Sequence, residues 1–504
     1  MNYAVVAATV DDTKISRGMF DYYYANIVNY YEQYASEVGL DTSKDYKTTY
    51  TTDDDGNKIS WYDFFKQEAL EELETTTKFY TAGIDAGLTI NEEQQKVIDE
   101  YVENARTSAS AENKTLDEYL NDYYGEYCSE ETLKLFYEQY MISSAYQGYF
   151  AAQHTYDEKK IDEYLNEHMK DYQQINVCYL AVPYDETDDN TKAKSQKLVE
   201  GYMNKITDRQ SMLDLIPELY KDYIAQDAEQ ALQSYEAMTD EQKEQYIDEN
   251  GAALTEEEAV KQATAAYVQS VDMTINSSFA PFGDEISAWL FSDDTPIGAK
   301  KYHVISENGY AYIVLKTEKP SVDESKTYAV RHILIQPKAD DETKQQNLEF
   351  TDEQWKEAEK KANAVLDEFN KDKTELAFAL LSEEKNEDTA STVAGLGGYY
   401  GGLYAGTTEG QMVPQFEDWA FGSSRKYGDT DIVKTDYGYH IMFFVNQLPK
   451  YKADALNDMK HDEALKSVEE LELKTHDKAI ESVIEDFYAS KEKTTEENTD
   501  NQKK

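Results

Sequence analysis

Cysteine is nearly absent from this 504-residue chain, with only Cys128 and Cys178 present. Two cysteines cannot build the disulfide framework of a small secreted scaffold, although they could form one bridge. Basic residues are scarce as well: 49 Lys and Arg against 101 Asp and Glu leave a formal net charge of −52. Such a surface repels phosphate backbones and anionic lipid, which argues against nucleic acid or a lipid surface as partner. No apolar run approaches the ~20 residues that span a bilayer. The opening Met1-Asn2-Tyr3 leads into Ala4–Val10 without the basic region or cleavage site of an export signal. Two readings follow, a cytoplasmic protein or a chain that begins after its signal.

What is present is length for about three domains and 40% hydrophobic residues, among them 43 tyrosines. Tyrosine joins a large apolar area to a polar tip and can line a surface that is apolar yet wettable. Ala4–Val10 predicts a short strand. Ser16 then caps a helix with the stripe Met19, Phe20, Tyr23, Tyr24, Ile27, Tyr31 and Tyr34. Residues 41–59 are polar. Their Asp53-Asp54-Asp55-Gly56-Asn57 starts like a calcium loop but lacks the glutamate at its twelfth position, so a solvated hairpin tip is expected. Ser60 starts a second helix ending near Gly83 or Gly87. Capping boxes at Thr115–Glu118 and Thr155–Glu158 mark two later ones. The first 170 residues are mainly helical and carry no catalytic cluster; His154 and His168 sit among surface charges.

Residues 174–183 predict a strand, followed by an acidic helical region to about 275 and a short helix around Glu285–Phe291. Strands Lys301–Ser306 and Tyr310–Lys316 meet at Asn308-Gly309, a tight-turn pair, and Pro320-Ser321 begins a linker. The same plan then recurs. A strand over 328–336 precedes helices near 351–370 and 374–384 and a glycine-rich run from Gly395 to Gly406. A short helix from Pro414 to Phe421 and strands near 430–435 and 439–446 complete it. Aligned by eye, the copies set Cys178 opposite His332 and Ala311 opposite His440. The first copy thus keeps the plan but drops both histidines, the glycine run and Met412-x-x-x-Phe416, and reads as a scaffold or client-binding surface. From about 452 the chain is again helical and could pack back on the first domain. Residues 489–504 read as a disordered tail.

The residues suited to chemistry lie in the second copy. His332 and His440 occupy apolar strands that antiparallel pairing could bring together, and two imidazoles sharing a proton fix each other's tautomers. Met412 and Phe416, at helical spacing, offer a soft apolar wall. Asp388 could accept a hydrogen bond or place negative charge near a carbonyl. The glycine run lacks the lysine of a phosphate loop, and the histidines lack a third zinc ligand.

In order, His332-Ile333-Leu334-Ile335, Glu387-Asp388, the glycine run, Met412 with Phe416, and Gly438-Tyr439-His440-Ile441 resemble the motifs of the parvulin family of peptidyl-prolyl isomerases. The resemblance implies a four-stranded antiparallel sheet wrapped by helices and cis–trans isomerisation of X-Pro bonds without a covalent intermediate or a cofactor. It also implies His332, His440 and Asp388 as the catalytic set and Met412, Phe416 and Tyr437 as the substrate-binding set. One departure stands out: the family's Gly-Gly-Asp-Leu-Gly is replaced by Gly395-Leu396-Gly397-Gly398-Tyr399-Tyr400.

The whole order is similar to PrsA- and SurA-type extracytoplasmic foldases. The expected architecture is α+β: a helical chaperone-like domain (1–170), a degenerate parvulin-like domain with a helical insertion (171–320), a catalytic parvulin domain (321–450), a C-terminal helical segment (451–488) and the tail (489–504). The resemblance implies partners that are unfolded, proline-containing polypeptides, with a dimer as candidate assembly. It implies an extracytoplasmic place at the cell surface or membrane, where a tether would need a lipidated N-terminus that this sequence does not contain. The alternative is a holdase whose parvulin folds serve only as binding platforms.

Overall fold

The computed structural model describes residues 6–52, 56–243, 254–305, 309–388 and 400–501. Asp53–Asp55 of the acidic turn, Asn308 of the tight-turn pair and Gly395–Tyr399 of the glycine run lie outside the described residues. The chain divides into two compact units: Leu165–Glu324, and Met1–Tyr164 together with Ser325–Lys504.

In the larger unit, β1 (Val6–Val10) and β2 (Thr13–Ser16) form a hairpin leading into the helix Arg17–Gln33. Ser16 Oγ accepts from the Met19 N–H at 3.2 Å and so satisfies one orphan donor of the first turn. Met19, Phe20, Tyr23 and Tyr24 are buried, with Ile27 and Tyr31 packed against them. The polar stretch folds as a hairpin of β3 (Tyr50–Thr52) and β4 (Lys58–Ser60), and Ser60 caps the helix Trp61–Asp85. Thr115 and Glu118 form their capping box. Thr155 does not cap: the next helix begins at Glu158, and Asp157 accepts from the Lys160 N–H at 2.9 Å. A carboxylate next to the first turn meets both the orphan donors and the helix dipole.

The smaller unit is built on β5 (Gln173–Pro183), β6 (Asp272–Asn276), β7 (Lys300–Ile305), β8 (Tyr310–Lys316) and β9 (Ser321–Val322), all antiparallel in the order β6-β5-β8-β7 with β9 also on β5. The acidic helical region stops at Ser270, five residues before the sequence suggests, and β6 takes its end. Period-two alternation splits β5 between two cores. Cys178, Leu180 and Val182 face the helices Asp189–Lys205, Lys221–Ala237 and Glu256–Ser270, whereas Ile175, Val177 and Tyr179 face the helix Asp284–Phe291.

The second copy, inside the larger unit, repeats this sheet with β10 (Lys326–Ile335), β11 (Leu403–Thr408), β12 (Thr430–Thr435) and β13 (Gly438–Pro449) in the order β11-β10-β13-β12. β11 begins inside the stretch that reads as a glycine loop and runs two residues past it. Ile333, Ile335, Ile441 and Phe443 pack under the helices Asp352–Phe369 and Glu375–Lys385, and Tyr328, Val330, Met442 and Phe444 pack under the helix Pro414–Ala420.

The ladders correct the alignment of the copies by one residue. β6 runs against Gln174–Cys178 as β11 runs against Thr327–Arg331. Tyr179 pairs with Val314 as His332 pairs with Met442, and Ala181 pairs with Tyr312 as Leu334 pairs with His440. His332 therefore corresponds to Tyr179, not Cys178, and His440 to Tyr312, not Ala311. A one-residue slip turns every side chain to the other face. The slip at Ala311 arises because the connection from Ile305 to Tyr310 is two residues longer than that from Thr435 to Gly438, and the slip at Cys178 because Pro183 does not occupy the place of Pro337.

The last segments return to the first. The helix Lys450–Ser467 is followed by β14 (Leu473–Thr475), which pairs antiparallel with β1. Ile480, Val483, Ile484 and Phe487 of the final helix are buried in the core of the Arg17–Gln33 helix. That helix continues to Asn501, so residues 489–501 are helical where the sequence suggests a disordered tail. Its first turns are anchored by burial, and adding residues to an existing helix avoids the cost of nucleating a new one. The N-terminal helices and the second copy share one unit, and Ala145 and Ala152 pack with Ala379 and Tyr400 in a common cluster. Cys128 and Cys178 are free and buried. Among the described residues, no helix is long and apolar enough to cross a membrane.

Candidate active site

Alternation along β10 and β13 turns His332 and His440 to the face covered by the helix Pro414–Ala420. They are diagonal neighbours, since His332 pairs with Met442 and His440 with Leu334. Both are buried, at 1% and 6% exposure. Their rings lie 5.4 Å apart at 24°, and the two Nδ1 atoms are 3.2 Å apart.

Hydrogen-bond bookkeeping assigns the protons. Thr435 Oγ1 accepts from the Tyr437 N–H at 3.2 Å and lies 2.9 Å from His440 Nε2, and we assign its hydroxyl as the donor to that nitrogen. His440 then carries its proton on Nδ1 and donates to Nδ1 of His332, which leaves the His332 proton on Nε2. That atom lies 3.0 Å from Asp388 Oδ2, close but poorly aligned, so the carboxylate acts on the ring mainly through its charge. Burial pushes the His440 pKa down to about 3, the neighbouring His332 adds to the effect, and Asp388 opposes it. His440 is neutral at physiological pH, as the bookkeeping requires.

Asp388 is held by the segment before it. Asn386 Oδ1 accepts from the Leu334 N–H at 2.8 Å and from the Asp388 N–H at 3.0 Å, while its Nδ2 donates to the His332 carbonyl at 3.1 Å. The Glu387 N–H donates to the Leu334 carbonyl at 2.9 Å. Residues 386–388 thus continue along β10 where β11 leaves it. The Tyr404 hydroxyl, from β11, donates to Asp388 Oδ2 at 3.2 Å, and the Tyr404 ring lies 5.1 Å from that of His332. Gly402 sits beside this edge with φ +63, and a Cβ there would collide with the His332 carbonyl.

The apolar wall comes from the short helix. Phe416 is buried and presents its ring edge-on to both imidazoles, 5.4 Å from each centroid at 84°. Met412 is half-buried in the same cluster, with its N–H donating to Glu417 at 3.0 Å. Five of the six residues singled out in the sequence therefore come together. Tyr437 does not: its side chain is 47% exposed at the hairpin tip, and only its backbone N–H reaches the network. Sequence reasoning missed Thr435, Tyr404 and Asn386. A threonine five residues before the second histidine, at the near end of a hairpin, was the available signal for Thr435; Tyr404 was hidden in a run read as loop.

On the opposite face, Arg331 is 1% exposed. Its Nε donates to Glu375 at 2.9 Å and its guanidinium to the Tyr400 carbonyl at 2.7 Å, so the connection into β11 is pinned from beneath.

Residues 312–447 match the family described as the PPIC-type peptidyl-prolyl isomerase domain. The chain is also 26% identical over 282 residues to "Foldase protein PrsA 2" of Listeria monocytogenes serovar 1/2a, covering 51% of this chain and 83% of that protein. The same foldase of the serotype 4b strain is 26% identical over 271 residues, with the same shares covered. The buried histidine pair, bracketed by an acid and an aromatic wall, thus lies in a PPIC-type peptidyl-prolyl isomerase domain, within a chain that is similar to PrsA foldases.

Proposed function

We propose that this protein binds unfolded polypeptides and rotates their X-Pro bonds at the face lined by His332, His440, Asp388, Met412 and Phe416. The barrier to be lowered is ~18–20 kcal/mol of amide resonance, and no bond is broken. The planar amide places negative charge on its oxygen and positive charge on its nitrogen. Asp388, held beside this face, disfavours charge on the oxygen and so raises the planar state relative to the twisted one. Phe416, Met412 and the two imidazoles supply a rigid seat for the prolyl ring, so binding favours the twisted geometry. The observation that carries this reading is the Thr435–His440–His332 hydrogen-bond chain under the Phe416 ring, with the Asp388 carboxylate 3.0 Å from its His332 end.

Isomerisation of a short X-Pro peptide by the full chain is the test. His440→Ala should lower kcat/KM at least tenfold, about 1.4 kcal/mol of transition-state stabilisation. Equal rates for wild type and variant overturn the catalytic assignment. The PrsA likeness supports clients that are exported chains and a place outside the cytoplasm, at the cell surface or membrane, which fractionation of the source cells would check.

A holdase reading is favoured by one observation: the first copy keeps the fold but carries tyrosines at both histidine positions. If the full chain suppresses client aggregation equally well with His332→Ala and His440→Ala, chaperoning is independent of isomerisation. Failure to suppress aggregation at all removes that reading.

A further inference from the structure

We infer that the Tyr179–Tyr312 face of the Leu165–Glu324 unit is a second site for X-Pro segments of unfolded chains, one that binds without isomerising. The inference rests on the proposed use of Met412 and Phe416 as the prolyl seat. The correspondence between the copies extends beyond the sheet. With β7 matched to β12, Trp289 and Phe291 fall where Trp419 and Phe421 fall, Phe282 takes the place of Met412, and Ile286 that of Phe416. The apolar wall has therefore been kept, with its aromatic ring moved from the Phe416 position to the Met412 position.

The polar half has been replaced. Tyr179 lies 5.1 Å from Phe282 and 6.4 Å from Tyr312, and Phe282 lies 5.5 Å from Tyr312. Phe282 is buried, whereas both tyrosines are half-buried, and among the described residues neither hydroxyl has a hydrogen-bond partner. The backbone of Ala181, counterpart of Leu334, is met at N–H and C=O by the Tyr220 hydroxyl at 2.9 and 3.2 Å, where the second copy uses Asn386 and Glu387. The segment that carries Asp388 thus has a lone phenol in its stead. Among the described residues, Tyr179 and Tyr312 stand where the imidazole pair stands in the second copy, and His303 is the one imidazole beside them, paired with Tyr312.

Three aromatic rings with two hydroxyls at the rim fit proline in its extended form. The prolyl ring stacks on aromatic faces, the chain is already ordered as polyproline II, and a phenol can donate to the carbonyl before the proline. Asp284 and Glu285 beside Phe282, with Lys301 paired to Glu285 at 2.6 Å, leave the rim acidic on balance. A neutral or basic segment is the occupant.

The test uses the full chain and a neutral, photo-crosslinkable peptide with one Tyr-Pro bond, alongside its Pro→Ala twin. Crosslinks mapped by mass spectrometry should fall both in residues 179–183, 279–291 and 310–314 and around 404–440, and the twin should lose them. Tyr179→Ala with Tyr312→Ala should weaken the first set about tenfold with the isomerase rate unchanged. The Tyr179→Phe with Tyr312→Phe pair, which keeps the packing, should weaken it less. Crosslinks confined to 404–440 overturn this inference and leave the proposed function standing. Crosslinks in neither copy overturn both.

Discussion

His440 is the residue whose protonation state most constrains the site. Its imidazole is driven to a pKa of about 3 by burial and by His332, far below the ordinary ~6.5. Because the folded value lies below the unfolded one, the unfolded chain binds the extra proton between them. The stability held by neutral His440 is therefore complete above pH ~6.5 and falls as pH drops toward 3, by at most about 1.4 kcal/mol per pH unit. Urea midpoints taken from pH 7 down to pH 4 should show this loss, and His440→Asn should flatten it. The kcat/KM profile between about pH 5 and 8 should carry no inflection from His440; an inflection removed by His440→Asn would show that the ring titrates in this range.

At the level of elements, the site depends on how the 386–388 segment is laid along β10. Asn386 makes three hydrogen bonds that fix it there, to Leu334, His332 and Asp388. Asn386→Ala should release Asp388 and lower kcat several-fold with little change in KM, while costing about 1–3 kcal/mol of stability. Rates unchanged despite lost stability would mean that Asp388 has no part in rate. Beneath the same strand, Arg331→Met would leave Glu375 buried without its partner. About 3–5 kcal/mol of destabilisation is expected in denaturant melts. Neither device is legible in one dimension. Asn386 and Arg331 sit beside the motif residues Asp388 and His332, yet their meaning depends on strand partners about fifty residues away.

For the whole molecule, the closing helix completes the core begun by the first strands. Ile480, Val483, Ile484 and Phe487 are each at most 2% exposed, and β14 pairs with β1. Removing residues from 473 onward strips four side chains worth ~1.5–3 kcal/mol each, a loss comparable to the ~5–15 kcal/mol that stabilises a typical domain. Such a truncation should leave the Arg17–Gln33 region protease-sensitive, as limited proteolysis and circular dichroism would report. The apolar spacing of Leu465 to Ile484 suggested a packed face. Where that face docks is a tertiary fact.

The sequence by itself determined what local chemistry dictates. Apolar runs announced β5, β10 and β13, Ser16 and Ser60 announced two helix starts, and the ordered motifs named His332, His440, Asp388, Met412 and Phe416. Tertiary structure decided register and closure. The hairpin loops of the two copies differ by two residues, so an alignment anchored on their glycines put Ala311 where Tyr312 belongs, and matching Pro183 to Pro337 put Cys178 where Tyr179 belongs. Pairing in a sheet is fixed by ladder partners and buried faces, neither of which a linear match sees. β11 and β6 were missed for a related reason: short strands in glycine-rich or charged surroundings become strands only because β10 and β5 offer them an edge.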